Sequence, residues 1–414
     1  MKKILRLFTI ALTATAALTS CIQDEAPNAE CDILTVTLPE EILESTPVIT
    51  NNAVTIRVRS TADISSLAPV FTVTDGATLT PESGSLQDFA NAENNTVYYT
   101  VKSEDGQWEK TYPVQVIQRN IASEYTFNSS ELDASTGQYT IFSELDESGT
   151  SVMTWASGNP GYVMCGVAPQ TARQQYGDEY VDHIYEFFPT SAVYPEGTTI
   201  ETDESSPSKT KYFMNGGKRA VPEYIHLVTR STGFFGSSIG MPIAAGNIFQ
   251  GFFQTTIATQ RPREATKFGE PYRYEPVSFS GSYRYTAGEI FTDENGNTVQ
   301  GKKDIFSIYA LFYETDENTE YLDGSIHEMN FSHPNLVAIA MLPNPHESKE
   351  WIDFDIPFAY VTGKTIDPER LANGEYKIGI VISSSADGDF FRGAVGSTLD
   401  VKNLKIDRKK EETE

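Results

Sequence analysis

Residues 305–313 read IFSIYALFY, an uncharged run with an apolar side chain at almost every position. A strand with one face in water alternates apolar and polar residues, so a run that is apolar on both faces indicates a strand buried between two layers. The chain around this run is rich in strand formers, with 23 Phe and 21 Tyr, and is interrupted by 29 Gly and 21 Pro. Its best helical pattern is the short run 169–185. The sequence therefore predicts an all-β protein.

The first domain, residues 31–119, is predicted to be an Ig-like β-sandwich. Short strand-like runs recur there at the spacing of about 8–12 residues that is typical of sandwiches. In AVTIRVR at 53–59, the apolar side chains of Val54, Ile56 and Val58 fall on one face, which indicates a half-buried strand. The predicted strands are 33–38, 53–59, 70–73, 96–102 and 110–116.

The stretch 95–114 resembles the last hairpin of bacterial Ig-like modules, with its turn at residues 104–106. Trp108 lies in this hairpin. We interpret it as a residue that packs across the strands, with a ligand platform as the alternative.

The N-terminus reads as an export signal. Residues 1–20 combine a basic start with an apolar segment, 7–18, that is too short to cross a bilayer core of about 30 Å. The sequence from Leu18 to Cys21 resembles the lipobox of bacterial lipoproteins, in which the cysteine is lipidated after cleavage; an ordinary signal peptide is the alternative. Residues 21–30 are acidic and form a tether. The resemblance implies an outer-membrane lipoprotein anchored only by its lipid and exposed at the cell surface, with a periplasm-facing anchor as the alternative.

The charge balance limits the possible partners. The formal net charge is −26, and removing residues 1–20, with their three positive charges and no negative ones, makes it −29. Such a surface repels nucleic acid and anionic lipid, so binding to a phosphate backbone is excluded. With Cys21 lipidated, Cys31 and Cys165 remain. A disulfide between them would join two domains, and a free, buried thiol at Cys165 is favoured because that residue lies in an apolar run.

The second domain covers residues 120–407, and residues 408–414, RKKEETE, form a charged tail. Several segments of this domain, taken in order, are more specific together than any one alone. They are WASGNPGY at 155–162, IHLVTR at 225–230, PIAAGNIFQG at 242–251, FGEPY at 268–272, GSYRY at 281–285 and SSSADGDFFRGAVGSTLDV at 383–401.

Together these segments resemble the putative carbohydrate metabolism domain of Bacteroides lipoproteins, a β-jelly-roll that follows an Ig-like domain. The resemblance implies a C-terminal jelly roll and a place in a glycan-utilisation system, among partner proteins of the same locus. It transfers no catalytic residue. Members often carry paired aspartates after the Gly-Ser-x-Leu strand, whereas this chain has Asp400 followed by Val401.

The clearest candidate for ligand binding is the strand WIDFDIPF at 351–358. Alternation places Trp351, Asp353 and Asp355 on one face and the apolar residues on the other. An aromatic ring can pack against the C–H face of a sugar while carboxylates accept hydrogen bonds from its hydroxyl groups. A solvated sheet face with one packed tryptophan is the alternative.

Further candidates extend this saccharide site. Tyrosines alternate along two neighbouring runs and would line a groove if they faced outward, although they could equally pack between sheets. An arginine can bind a carboxylate or a pair of hydroxyls with its fork of N–H groups. The candidate residues are Tyr283, Tyr285, Trp155 and Asn159 at the rim, Arg230 and Arg392.

Asp387 and Asp389 flank Gly388 in a glycine-rich segment. The segment is interpreted as a tight turn, and the alternative is a structural calcium site, since carboxylate oxygens are the ligands that Ca²⁺ prefers. No other cofactor is expected, because the sequence lacks a zinc motif and a nucleotide loop.

The sequence is compatible with three functions. The first is a surface lipoprotein that binds an oligosaccharide or polysaccharide. The second is a glycoside hydrolase or other carbohydrate-active enzyme on the same scaffold, with Asp353, Asp355 or Glu275 as acid or base. The third is a structural or adhesive surface protein without a sugar site.

Overall fold

The computed structural model describes residues 28–39, 42–43, 47–58, 62–118, 124–145, 149, 151–204 and 209–409. The predicted signal peptide, Cys21 and most of the predicted tether lie outside the described residues. The chain divides into two compact units after Gln118. Both are built mainly of strands, so the all-β prediction is confirmed.

The described residues of the N-terminal unit form seven strands and one 3₁₀ helix, Glu93–Asn95. The strands are β1 (Ile33–Thr37), β2 (Val48–Ile49), β3 (Val54–Val58), β4 (Val70–Val73), β5 (Thr78–Thr80), β6 (Thr96–Lys102) and β7 (Glu109–Gln118).

Two sheets form this unit, one in the order β2-β3-β7-β6-β5 and the other a pair of β1 and β4. Strands β3 and β7 run parallel, and the other neighbours run antiparallel. Val54, Ile56 and Val58 are buried in the core of this unit, as their alternation predicts. The predicted Ig-like β-sandwich is therefore confirmed. The interpretation of Trp108 as a packing residue is wrong, because the residue is 60% exposed.

The C-terminal unit contains the remaining strands. They are β8 (Glu124–Tyr125), β9 (Ser129–Leu132), β10 (Thr140–Leu145), β11 (Ser151–Ala156), β12 (Thr190–Val193), β13 (Thr199–Thr202), β14 (Lys211–Asn215), β15 (Lys218–Arg219), β16 (Tyr224–Val228), β17 (Arg230–Ser231), β18 (Ile243–Ala244), β19 (Asn247–Phe253), β20 (Thr266–Phe268), β21 (Glu270–Pro271), β22 (Pro276–Thr286), β23 (Phe291–Thr292), β24 (Ser307–Glu314), β25 (Leu322–Asp323), β26 (Leu336–Met341), β27 (Ser348–Pro357), β28 (Ala359–Tyr360), β29 (Tyr376–Ser383), β30 (Gly393–Ala394) and β31 (Thr398–Arg408).

Short helices connect these strands. The α-helices are α1 (Asn159–Val163), α2 (Val167–Tyr176), α3 (Gly233–Ser238) and α4 (Pro368–Ala372), and the 3₁₀ helices are Gly177–Phe187, Thr255–Ile257, Gly324–His327 and Gly388–Phe390. Helix α2 and the 3₁₀ helix after it cover the run 169–185 that the sequence indicates and extend two residues beyond each end. Among the described residues, none of the helices is both long and apolar enough to span a bilayer.

Two large sheets dominate the C-terminal unit. The larger has fourteen strands and follows the order β13-β14-β9-β10-β11-β19-β29-β24-β26-β28, with β15, β20, β21 and β25 joined at its sides. The smaller has six strands in the order β12-β16-β31-β22-β27, with β8 paired to β31. Their inward side chains form one apolar core, so the predicted jelly-roll sandwich is confirmed.

Strand β24 shows how this layering arises from the sequence. Ile308 and Phe312 point into the core between the two sheets, while Tyr309, Leu311 and Tyr313 belong to a second apolar cluster on the other face of the larger sheet. That second cluster packs under the loops that cover this face. The strand is thus buried on both sides, as its continuous apolar run predicts.

Cys31 and Cys165 are both free. Burial raises the pKa of the Cys165 thiol, which keeps it protonated and unreactive at neutral pH.

Candidate functional site

The outward face of the six-stranded sheet gathers polar and aromatic side chains. Each strand alternates, so the residues between its core positions point away from the core. We call this surface the outer face. It comprises Tyr224 and His226 of β16, Ser282 and Arg284 of β22, Trp351, Asp353 and Asp355 of β27, and Asp400 and Lys402 of β31.

Strand register places several of these side chains in a single row. Ser191 of β12 is opposite His226, His226 is opposite Asp400, and Asp400 is opposite Arg284. The row crosses four neighbouring strands and ends near Trp351. Because these strands are hydrogen-bonded into one sheet, the row is held rigidly.

Trp351 lies at the centre of an aromatic and cationic cluster. Its ring makes an edge contact with Tyr224 at 5.6 Å between centroids. The Arg284 guanidinium lies 4.9 Å from the Trp351 ring centroid and 4.6 Å from the Tyr224 ring centroid. The Lys402 ammonium lies 4.2 Å from the Trp351 ring centroid. The ring remains partly exposed, so its apolar surface is available to a ligand.

Asp400 anchors this cluster. Its side chain is only 8% exposed, and it bridges His226 Nδ1 and Arg284 Nε, each at 2.6 Å. Burial lowers the pKa of Arg284, but the hydrogen bond to Asp400, the Asp400 charge and Tyr224 together outweigh this and raise the pKa overall. The guanidinium is therefore permanently charged and is fixed beside the two rings.

Two carboxylates complete the outer face. Asp353 lies opposite Ser282 and accepts a hydrogen bond of 2.7 Å from its hydroxyl. Asp355 lies opposite Ser280, two residues further along the strand. Both carboxylates are exposed and can accept hydrogen bonds from a ligand.

A cleft of about 420 Å³ opens at the end of the row that Ser191 and His226 form. Its lining includes Ser191, Glu186, Tyr185 and Tyr194. The cleft extends the outer face beyond the edge of β16, and it offers hydroxyl, imidazole and carboxylate groups to a ligand.

The structure corrects several candidates predicted from the sequence. Tyr283 and Tyr285 are buried in the core between the sheets, where both rings pack against Phe306. Their prediction as groove-lining residues is wrong, because the faces of β22 are reversed relative to that expectation. The outward residue between them is Arg284.

Trp155 and Asn159 are also buried, so their prediction as rim residues is wrong. Trp155 packs in the core between the sheets. Asn159 exchanges two hydrogen bonds with the backbone of Thr190, donating to its carbonyl at 2.7 Å and accepting from its N–H at 3.1 Å. Each side chain therefore has a structural role.

The two predicted arginines have partners other than Trp351 among the described residues. Arg230 donates to the backbone carbonyl of Glu186 at 3.1 Å, and burial lowers the pKa of its guanidinium. Arg392 forms an ion pair of 2.7 Å with Glu294. The arginine beside Trp351 is Arg284.

The two aspartates of the predicted calcium site belong to separate ion pairs. Asp387 contacts Lys302 at 2.7 Å, and Asp389 contacts His327 at 3.1 Å. Across the described ranges, no group of three or more His, Cys, Asp or Glu side chains comes together as a metal site requires. A calcium ion near this turn stays a prediction.

Sequence reasoning missed the basic and imidazole half of the outer face. Tyr224, His226, Arg284 and Lys402 each alternate with core residues, as Asp353 does, so period-two alternation was the available signal. Strand order was not available, and without it the three strands that carry these residues could not be placed side by side.

Comparison with known proteins agrees with this architecture. Residues 126–407 match the family described as "Putative carbohydrate metabolism domain", and residues 33–116 match the family described as "SGBP, N-terminal". Comparison with curated proteins finds no match.

Two solved structures are similar to this chain, and both are described as putative glycoside hydrolases. The protein from Bacteroides thetaiotaomicron VPI-5482 is 41% identical, with alignment over 94% of this chain and 100% of that chain and a TM-score of 0.57. The protein from Bacteroides vulgatus ATCC 8482 is 36% identical over 70% of this chain and 100% of that chain, with a TM-score of 0.55. On this evidence, the chain belongs to the putative carbohydrate metabolism domain family.

Proposed function

We propose that this protein is a surface-anchored lipoprotein that binds saccharide, within a glycan-utilisation system, on the outer face of its C-terminal jelly roll. The observation that carries the proposal is the partly exposed Trp351 ring, with fixed Arg284 beside it and the carboxylate of Asp353 on the same face.

These groups suit the two surfaces that a sugar presents. The C–H face of a pyranose is apolar and packs on an indole ring, gaining free energy from burial. The hydroxyl groups around the ring need partners, and Asp353 can accept while Arg284 can donate. The Lys402 ammonium near the ring would move aside or bond to a hydroxyl, since its long side chain is flexible.

The family matches support the carbohydrate connection. The C-terminal unit matches a carbohydrate metabolism family, and the N-terminal unit matches the N-terminal domain family abbreviated SGBP. Partner proteins of the same system would then share the bound glycan.

The anchor belongs to the proposal as well. Lipidation at Cys21 would tether the protein to the outer membrane, and the acidic residues after it would favour display at the cell surface. Labelling of cells with a radioactive fatty acid tests the anchor, because Cys21→Ala should lose the label. Protease treatment of intact cells tests display.

Glycan-array binding followed by calorimetry against host and plant polysaccharides tests the saccharide site. We expect one class of glycan to bind the mature chain and Trp351→Ala to weaken it. If no saccharide binds at about 1 mM, a concentration at which even weak sites are occupied, the proposal fails.

The names of the two similar structures make glycoside hydrolysis the alternative. Glycosidases place two carboxyl groups about 5–9.5 Å apart across the scissile bond, one of them commonly in an apolar setting. Asp353 and Asp355 share one exposed strand face, and Glu275 forms an ion pair with Lys409. Release of reducing sugar by the parent, abolished in Asp353→Asn/Asp355→Asn, would favour hydrolysis.

A further inference from the structure

A cavity of about 410 Å³ lies against the other side of the molecule's larger sheet, separated from the outer face by the core. Its volume falls in the range of about 300–1,000 Å³ that is typical of small-molecule sites. Phe249 of β19, Tyr309 of β24 and Val381 of β29 form its floor, and the loops that cover this sheet form its walls.

The mouth of the cavity is apolar and open to solvent. Met164, Phe235, Ile239 and Met341 each line the cavity, and each is 41–48% exposed. Exposed apolar residues that surround a cavity indicate a binding site, because their exposure to water is costly until a ligand covers them.

One wall carries a polar pair in this apolar setting. Asp389 Oδ1 lies 3.1 Å from His327 Nδ1, and both residues line the cavity. Asp389 Oδ2 is buried and has no hydrogen-bond partner among the described residues. The Asp389 side chain as a whole is 24% exposed, so its carboxylate can accept a hydrogen bond from a ligand in the cavity.

The backbone around this pair is tightly constrained. A Cβ at Gly388 would lie 2.4 Å from the Ala245 Cβ, so only glycine fits immediately before Asp389. Two residues after Asp389, Phe391 lines the cavity with φ = +57°, and Phe331 lines it with φ = +56°. A non-glycine residue in the left-handed region is strained, and such strain concentrates at ligand sites.

We propose that this cavity is a second ligand site, separate from the saccharide site, that takes a small apolar molecule, aromatic or alicyclic, carrying a hydroxyl group that donates to the Asp389 carboxylate. The apolar body would fill the space between Phe249 and Phe235, and the hydroxyl would meet the wall that carries Asp389.

The electrostatics of the wall favour a neutral donor over a cation. The hydrogen bond with Asp389 raises the pKa of His327, which favours the charged imidazolium beside the carboxylate. Arg263 also lines the cavity, and it pairs with Glu328 at 2.6 Å. A hydroxyl group can donate to Asp389 without adding charge to a wall whose charges are already paired, whereas an ammonium group would add an unpaired positive charge.

A free sugar fits this lining poorly. A monosaccharide carries a hydroxyl on nearly every carbon, and each would need a partner once buried. The described lining is dominated instead by phenylalanine, tyrosine, methionine, isoleucine and alanine side chains.

Titration of the full mature chain with 2-naphthol, and separately with 2-methylnaphthalene, tests this site. The two probes have nearly the same shape, but only 2-naphthol donates a hydrogen bond. We expect 2-naphthol to bind about tenfold more tightly, as one hydrogen bond to a charged acceptor implies, and Asp389→Ala to abolish that preference.

Phe235→Ser and Phe234→Ser form a matched pair that should leave the fold intact. Phe235 lines the cavity and is 45% exposed, whereas its neighbour Phe234 is 91% exposed and lies outside the described lining. Phe235→Ser should weaken both probes about five- to tenfold, and Phe234→Ser should weaken neither. Absence of 2-naphthol binding at about 1 mM, equal effects of the two serine variants, or a hydroxyl preference that survives in Asp389→Ala would each overturn the proposal.

Discussion

The indole N–H of Trp155 donates a hydrogen bond of 3.0 Å to Glu144 Oε1 inside the core between the two sheets. The same carboxylate accepts backbone N–H groups from Phe127 at 3.0 Å and Thr126 at 3.1 Å. Glu144 is thus an acidic side chain placed in the core with three donors around it. Burial raises the pKa of Glu144, although these hydrogen bonds oppose the shift.

Trp155→Phe should destabilise the C-terminal unit by about 1–3 kcal/mol, because it removes a donor from a buried acceptor while keeping most of the packing. Urea unfolding monitored by circular dichroism measures this change. Trp108→Phe is the control, since that ring is largely exposed, and it should change stability by less than about 0.5 kcal/mol. Equal effects of the two substitutions would contradict the role given to Glu144.

The pH dependence of the same substitution has a definite sign. The pKa of Glu144 is higher in the folded protein than its ordinary value of 4.5. Between 4.5 and the folded-state pKa, the folded state therefore binds more protons than the unfolded state. Its contribution to stability therefore falls as pH rises through that window. Losing the Trp155 donor raises this pKa further, so the penalty of Trp155→Phe should be smaller at pH 4.5 than at pH 7.

The contrast between Trp155 and Trp351 shows what the sequence could and could not predict. Alternation correctly placed Trp351 and Asp353 on one exposed face, because inward partners such as Phe354 are plainly apolar. Trp155 was expected at a loop rim, since nothing near it in sequence marks Glu144 as its buried partner. Local pattern thus decides the faces of a strand when its other face is strongly apolar.

The prediction that the tyrosines of β22 line a groove is wrong for a related reason. Tyrosine and arginine alternate in SYRY. Because tyrosine has both an apolar ring and a polar hydroxyl, it can lie on the inner or the outer face of a strand, and the local pattern does not decide between them. The decision comes from the rest of the fold, because pairing with β31 and β27 determines which face of β22 turns towards the core, where Phe306 packs against Tyr283 and Tyr285. Pairings across more than a hundred residues are invisible to a local pattern.

Trp351→Ala should weaken saccharide binding about 5- to 30-fold, the loss expected for removing a stacking ring worth about 1–2 kcal/mol. Calorimetry with the glycan identified by array measures the change. Trp108→Ala, which removes a ring in the other unit, should bind as the parent does. Loss of binding in Trp108→Ala alone would move the site to the N-terminal unit.

Asp400→Ala should weaken saccharide binding, although Asp400 itself does not contact the ligand. Asp400 holds Arg284 and His226 at 2.6 Å each, so its removal frees the guanidinium that lies beside Trp351. Asp407→Ala breaks the more exposed ion pair with Lys405 on the same strand, away from Trp351, and is the matched control, with little expected change. Asp400→Asn should fall between them, because an amide oxygen can still accept from Arg284. A merely structural role for Asp400 would lower the unfolding midpoint while leaving the affinity unchanged.

His327 should make stability depend on pH in the opposite sense to a buried neutral histidine. Its hydrogen bond with Asp389 raises its pKa above the ordinary value of 6.5. The stabilisation is therefore fully present below about 6.5 and is lost as pH rises through the folded pKa. Thermal unfolding of the parent and of His327→Gln between pH 5.5 and pH 8.5 should show their stability difference shrinking with rising pH. A difference that stays constant or grows would contradict this pairing.

Lys377 carries a buried charge whose removal should stabilise the protein. It is only 7% exposed, and its ammonium lies 3.2 Å from the Tyr321 ring centroid. Burial lowers the pKa of Lys377 to about 8, although Glu320 and Glu270 oppose the shift. Between this value and the ordinary 10.5, the unfolded state binds more protons, so stability rises with pH through that window.

Lys377→Met should therefore be as stable as the parent or more stable by about 1 kcal/mol at pH 7, because methionine fills similar space, contacts Tyr321 and needs no desolvation of charge. That advantage should shrink as pH rises above about 8, where the parent sheds its proton on folding. The exposed Lys218 provides the control: Lys218→Met should track the parent at both pH values. An advantage that is independent of pH would mean that packing, and not the buried charge, sets the stability at Lys377.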